Sequence, residues 1–291
     1  MKDFPIPVVG IGIGPGSQSE EEELVYMSMP QGMSTFRAPP LPEPEEVAAQ
    51  AAGKAALQAA QAALKATLAD GVNRRVPLDG LGAADAQLVN TVLGEGEVGA
   101  RASLGETGGE VQVQVQESVF AGVWRVVRTL HGVVLSDAIE VGSVPRVLEE
   151  VAAQDARDRL PGWTGALPPN VQNAPLLLAE IEDQFGRWQP GEPAYVINLT
   201  LLPMSQEDIG FMDHQLGTGR VLLLSRGYGN CRITNTCVPH TWRVVYYNSQ
   251  DAVILNTVEI GPLPEVARAA REDLQDSLER LGEVLAWVEG P

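Results

Sequence analysis

The stretch Leu93-Gly94-Glu95-Gly96-Glu97-Val98 returns 123 residues later as Leu216-Gly217-Thr218-Gly219-Arg220-Val221, and it does not return alone. Trp124-Arg125-Val126-Val127 is followed 118 residues on by Trp242-Arg243-Val244-Val245. Ile139-Glu140-Val141-Gly142 matches Val258-Glu259-Ile260-Gly261 at a spacing of 119, and Val144-Pro145 with Val147 matches Leu263-Pro264 with Val266. Motifs kept in order at nearly constant spacing are the signature of an internal repeat, with one short loop differing in length between copies. Each copy predicts a helix ending at the Leu-Gly-x-Gly turn, where glycine suits a left-handed cap, then several short strands and a closing helix. Consecutive strands on short connections pair antiparallel. The expected fold class is α+β: two homologous repeats, each a small, mainly antiparallel sheet with flanking helices on one face. Two such units pack about a pseudo-two-fold axis, as a homodimer would.

Outward from the repeat, the chain divides into three. Residues 1–43 mix Gly, Pro and Ser with Glu20-Glu21-Glu22-Glu23 and short apolar pieces such as Tyr26-Met27-Ser28-Met29-Pro30, and are expected to form a mostly disordered tail. Gly10-Ile11-Gly12-Ile13-Gly14-Pro15-Gly16 is no phosphate loop, because neither Gly-Lys-Ser/Thr nor a helix follows and four glutamates do. Residues 44–160 hold a long helix from Pro44 to Asp70-Gly71 and the first repeat; residues 161–291 hold the second. In the helix, Val47, Leu57, Leu64 and Leu68 supply a thin apolar stripe.

The totals narrow the partners. With 38 acidic against 20 basic side chains the 291-residue chain carries a formal charge of −18, which repels phosphate backbones and anionic lipid headgroups. Nucleic acid and membrane surfaces are poor partners on this ground, whereas a basic protein segment is attracted. Pro7, Gly10 and Gly12 interrupt the apolar stretch Ile6 to Ile13, so neither a signal peptide nor a membrane span is expected. Two cysteines, Cys231 and Cys237, suit a reducing compartment, with the cytoplasm as the expected location.

Duplication sorts the motifs: what occurs twice serves the architecture, and what occurs once is a candidate for function. Ser225-Arg226-Gly227-Tyr228-Gly229-Asn230-Cys231-Arg232-Ile233-Thr234-Asn235-Thr236 has only the bland Ser103 to Ser118 as counterpart, which marks the second copy as the specialised one. With Tyr246-Tyr247-Asn248-Ser249-Gln250-Asp251, Ile254-Leu255-Asn256-Thr257-Val258-Glu259, Tyr26 to Met33 and Asn198 to Met204, these strings resemble the HupH/HyaF family of nickel-iron hydrogenase maturation proteins. The resemblance extends over nearly the whole chain. It implies an accessory protein that holds the iron-sulfur small subunit precursor of an uptake hydrogenase before export, alongside other maturation chaperones. No catalytic residue, cofactor or metal ligand comes with it.

Partner-binding candidates are Arg226, Gly227, Tyr228, Gly229, Asn230, Cys231, Arg232 and Thr234. Aligning the copies at a spacing of 118 puts Cys231 on Val113, Ile233 on Val115 and Cys237 on Val119, so both thiols fall on apolar positions. Arg232, Thr234 and Thr236 then share the opposite, polar face, which reads either as a binding surface or as a solvated sheet face. Cys231, Cys237 and His240 are spaced C-x5-C-x2-H, wrong for a zinc knuckle and too few for an iron-sulfur cluster. Arg226 and Arg232 are expected to lower the Cys231 pKa if that thiol reacts, which keeps an iron-sulfur or thiol-handling factor as a second reading. A third is a small-anion site in the Gly227-Tyr228-Gly229 turn, and a strand-accepting sheet edge is a further way to hold a client. His131 and His214 read as solvated or hydrogen-bonded histidines.

Overall fold

A computed structural model describes residues 41–106, 109–227 and 229–289. The expectations for residues 1–40 and for Tyr228 lie outside these. The first half runs α1 (Ala51–Asp70), β1 (Arg74–Pro77), α2 (Ala83–Leu93), β2 (Val98–Glu106), β3 (Gly109–Glu117), β4 (Val123–Leu130), β5 (Val133–Val141) and α3 (Arg146–Asp155). The second runs α4 (Ala174–Arg187), β6 (Tyr195–Asn198), α5 (Gln206–Leu216), β7 (Leu222–Ser225), β8 (Asn230–Asn235), β9 (Thr241–Tyr247), β10 (Val253–Ile260), a 3-10 turn at Glu265–Ala267, and α6 (Arg271–Glu289).

The two strand sets expected as sheets of their own join edge to edge. One ten-stranded sheet results, in the order β1-β5-β4-β3-β2-β7-β8-β9-β10-β6 and antiparallel at every join. Registers recur between halves: Glu117 faces Trp124 as Asn235 faces Trp242, and Glu140 faces Trp124 as Glu259 faces Trp242. At the central join Ala100 faces Leu223, flanked by Gly99 with Leu224 and Arg101 with Leu222.

Helices lie on both faces, not on one. Trp124, Val126, Val113, Ile233 and Leu223 point to the side covered by Val147, Leu148 and Val151 of α3. Val123, Ile139 and Val141 point the other way, into a core with α1, α2 and α6, while Val258 and Ile260 pack with α4 and α5. Outer strands apolar at consecutive positions need cover on both sides. The central strands keep a polar outer face: Val111, Val113 and Val115 are buried, Gln112 and Gln114 exposed.

Two local expectations are corrected. The first helix begins at Ala51 rather than Pro44, because Glu46 N–H donates to Glu43 O and Gln50 N–H to Val47 O, closing three-residue turns instead of helical ones. Its buried stripe is also broader, since Ala56, Ala60 and Ala63 are covered beside Leu57, Leu64 and Leu68. Gly94 (φ 54°, ψ −161°) and Gly217 (φ 69°, ψ 168°) have positive φ but extended ψ, so neither is a left-handed cap. Only glycine visits that region readily. It lets the chain leave the helix straight into a strand while Val119 and Cys237 donate their N–H to Leu93 O and Leu216 O. The second glycine of each turn is needed for close approach, because a β-carbon would run into Ser118 O at Gly96 and into the Asn235 side chain at Gly219. After Pro264 the closing element shrinks to the 3-10 turn, and α6 crosses onto the first half, where Ser277 Oγ donates to Ala121 O (3.0 Å).

Candidate functional site

The segment that singles out the second half is a strand and the turn that leads into it. Pairing of β8 with β7 and β9 places Cys231, Ile233 and Asn235 on the covered face of the sheet and Asn230, Arg232 and Thr234 on the outer one. The outer residues meet Leu222, Leu224, Arg243, Val245 and Tyr247 across the strands, and Arg232 is exposed. Beyond the central join the floor continues through Gly99, Arg101, Gln114 and Gln116. Two exposed guanidinium-bearing positions, Arg101 and Arg232, therefore share a polar sheet face in a strongly acidic chain.

The turn before β8 is pinned to the first half. Arg226 N–H donates to Glu97 O (3.1 Å), and a β-carbon at Gly227 would collide with the Glu97 carboxylate. Gly229 has φ 99°, which glycine adopts without strain. Gly227 is thus required by the join between halves and Gly229 by the turn's own backbone. A carboxylate standing against Gly227 also opposes an anion in this turn, whatever Arg226 contributes.

Cys231 is corrected in one respect. Burial pushes its thiol up to about 12, overriding the bond from Tyr246, and neither Arg226 nor Arg232 brings it down. Arg232 lies across the sheet from it and Arg226 is exposed. At 2% exposure in the core with Ile233 and Leu223, Cys231 behaves as the apolar residue that Val113 is in the first half. Cys237 is free and half-buried, its Sγ 3.6 Å from Thr218 O, while the His240 ring packs on Trp188 at 4.8 Å between centroids. Among the described residues no group of three His, Cys, Asp or Glu side chains is placed to hold a metal ion.

A second polar cluster escaped the motif search. In the first half Arg125 donates through Nε and Nη2 to Asp137 and through Nη1 to Asn90 Oδ1 (2.8 Å). The equivalent Arg243 has Asp213 at 3.4 Å and Asn256 where the carboxylate stood, so Asn and Asp have changed places. Among the described residues Arg243 Nη1, Asn256 Oδ1 and Gln215 Oε1 are buried without a hydrogen-bond partner. The signal lay in the repeat itself, in Asn90 against Asp213, Asp137 against Asn256 and Val92 against Gln215.

Three relatives and one family bear on identity. The chain is 54% identical over 291 residues to the hydrogenase expression/formation protein HoxQ of Cupriavidus necator, covering 99% of each. It is 46% identical over 268 residues to the hydrogenase expression/formation protein HupH of Rhodobacter capsulatus, covering 91% of each. With the hydrogenase-1 operon protein HyaF of Escherichia coli it shares 35% over 216 residues, 73% of each chain. The family model for the C-terminal conserved region of HupH hydrogenase expression proteins matches twice, at residues 51–163 and 171–288. The chain belongs to the HupH hydrogenase expression protein family.

Proposed function

We propose that this protein is a hydrogenase maturation accessory factor, a cytoplasmic chaperone that holds the iron-sulfur small subunit of an uptake nickel-iron hydrogenase before export and catalyses no reaction. The observation that carries the reading is likeness over 99% of both chains to a hydrogenase expression/formation protein. Also in its favour, no helix among the described residues is long and apolar enough to cross a membrane. The client contact is assigned to the second half, through the turn at Arg226, Gly227 and Gly229 and the outer face of β8 at Asn230, Arg232 and Thr234. Companion maturation chaperones complete the assembly. The halves, residues 44–160 and 161–291, are read as repeats related by a pseudo-two-fold axis between Ala100 and Leu223. The reciprocal pairs Gly99 with Leu224 and Arg101 with Leu222 support this, as does the twofold family match.

The thiol-handling alternative is weakened by the burial of Cys231, and the small-anion alternative by Glu97 at Gly227. The test is a tagged full-length chain produced in cells making the hydrogenase. Capture of the small-subunit precursor is expected, with loss of capture in Arg232→Glu. Normal small-subunit processing in cells lacking the protein would overturn the reading.

A further inference from the structure

The two outer edges of the sheet are built differently. At the first-half edge, β1 ends in Pro77, carries Arg74 and Arg75, and lies along α1, whose Asp70 pairs with Arg74 at 2.6 Å. Proline, basic side chains and a covering helix are devices that stop an edge from recruiting another strand. The other edge strand carries neither proline nor a basic side chain. There β6 reads Tyr195-Val196-Ile197-Asn198 and pairs with β10 on one side. Among the described residues its backbone makes no bond outside that ladder. Tyr195 and Val196 are exposed, and the turn that follows presents Leu202 and, at 81% exposure, Leu201. Asn256 N–H donates to Thr200 Oγ1 (2.8 Å), fastening this turn to β10 close to the exposed Val253 and Ile254.

We propose that the β6 edge docks an extended segment of a partner protein by strand addition, a segment in which apolar residues alternate with lysine or arginine. An added strand takes up the unpaired main-chain groups, and its alternate side chains meet Val196 and Leu201 on leaving water. Basic residues between them suit a chain of charge −18, with Glu180 bonded to the Tyr195 hydroxyl at the edge. The same charge argues against a second copy as occupant, because two such chains repel. The proposal rests on the reading of the protein as a holder of an incompletely folded client, and is tested without that client so that each can fail alone.

The probe is a fluorescein-labelled octapeptide of alternating Lys and Val, titrated against the full chain by anisotropy. Binding is expected, with none for the Glu-Val peptide and none for a Lys-Pro peptide, which lacks the N–H groups for a ladder. The double variant Val196→Glu/Leu201→Glu is expected to weaken binding by about tenfold or more, and Val134→Glu/Leu135→Glu on exposed β5 to stay within about twofold. Thermal unfolding of both variants establishes that they fold. Unchanged binding by the β6 variant, equal loss at β5, equal binding of the Lys-Pro peptide or no binding at all would each overturn the proposal. Peptide binding without capture of the small-subunit precursor would instead sink the chaperone reading and leave the edge standing.

Discussion

At the two seams between the halves, equivalent positions hold opposite chemistry. Where α3 meets the second Leu-Gly-x-Gly turn, Asp155 accepts from Arg220 Nε (2.6 Å), the Arg220 backbone N–H (2.7 Å) and Asn235 Nδ2 (3.0 Å). Moved by the repeat spacing, Arg220 and Asn235 become Glu97 and Glu117, both carboxylates, and Asp273 of α6 lies close enough to act on Glu117. Burial alone raises Asp155, but its bonds from Asn235 and Arg220 outweigh that and hold it below the usual carboxylate range. Burial raises Glu117 to about 7, against bonds from the Gly122 and Val98 N–H groups, and Glu97 and Asp273 push the same way. One backbone frame thus carries a satisfied ionic knot at one seam and an acid cluster at the other.

Exchanging residues between seams tests this comparison. The largest effect is expected from Arg220→Glu, which gives the second seam the acids of the first. It removes the partner of Asp155 and adds a like charge, lowering unfolding free energy by about 3 kcal/mol in urea titrations at neutral pH. No change would mean that packing alone holds the seam.

The reverse exchange, Glu117→Asn, is expected to stabilise, and only where the carboxyl ionises. The Glu117 carboxyl titrates near 4.5 in the unfolded chain and near 7 in the folded one. The folded state therefore binds the extra proton between those values, and stability falls as pH rises through them. Relative to the parent, the variant gains nothing below about pH 4 and at most about 3 kcal/mol above about pH 7.5. A gain independent of pH would break the assignment.

The arginine sites give a smaller contrast. Asp137→Asn, which imports the second-half residue, is expected to cost about 2 kcal/mol, because Arg125 and Asp137 are both mostly buried. Asn256→Asp in the second half should gain about 1 kcal/mol by giving Arg243 a carboxylate. If it costs stability instead, the open valences around Arg243 are met by solvent that the carboxylate displaces. The smallest effect is expected at Cys231→Val, the first-half residue at that position. Stability should stay within about 1 kcal/mol of the parent, with hydrogenase maturation intact in complemented cells.

Much of the frame was legible because the chain states it twice. Trp124 and Trp242, the Leu-Gly-x-Gly turns and the alternation that put Cys231 on a valine position all follow from spacing and period. The site was legible only as a strand face: Arg232 and Thr234 could be placed opposite Cys231, but the pairing of the Arg226-Gly227 turn with Glu97 links residues 129 apart in sequence. Local pattern carries no information on such a contact. The length of α1 was overestimated for a related reason, since Pro44 to Gln50 has helical composition while its backbone closes tighter turns.

By itself the sequence carried the recurring motifs, the expectation of helices with antiparallel strands, and the segment around Cys231 that departs from the common pattern, because hydrophobic period and repeated motifs are local and additive. Only the tertiary structure decided that β2 and β7 merge the two strand sets into one sheet, that α6 crosses to the first half, and that β6 is the outer strand beside β10 among the described residues. Those outcomes depend on which surfaces bury each other, a choice made between distant segments by the free energy of the whole and not by any one of them.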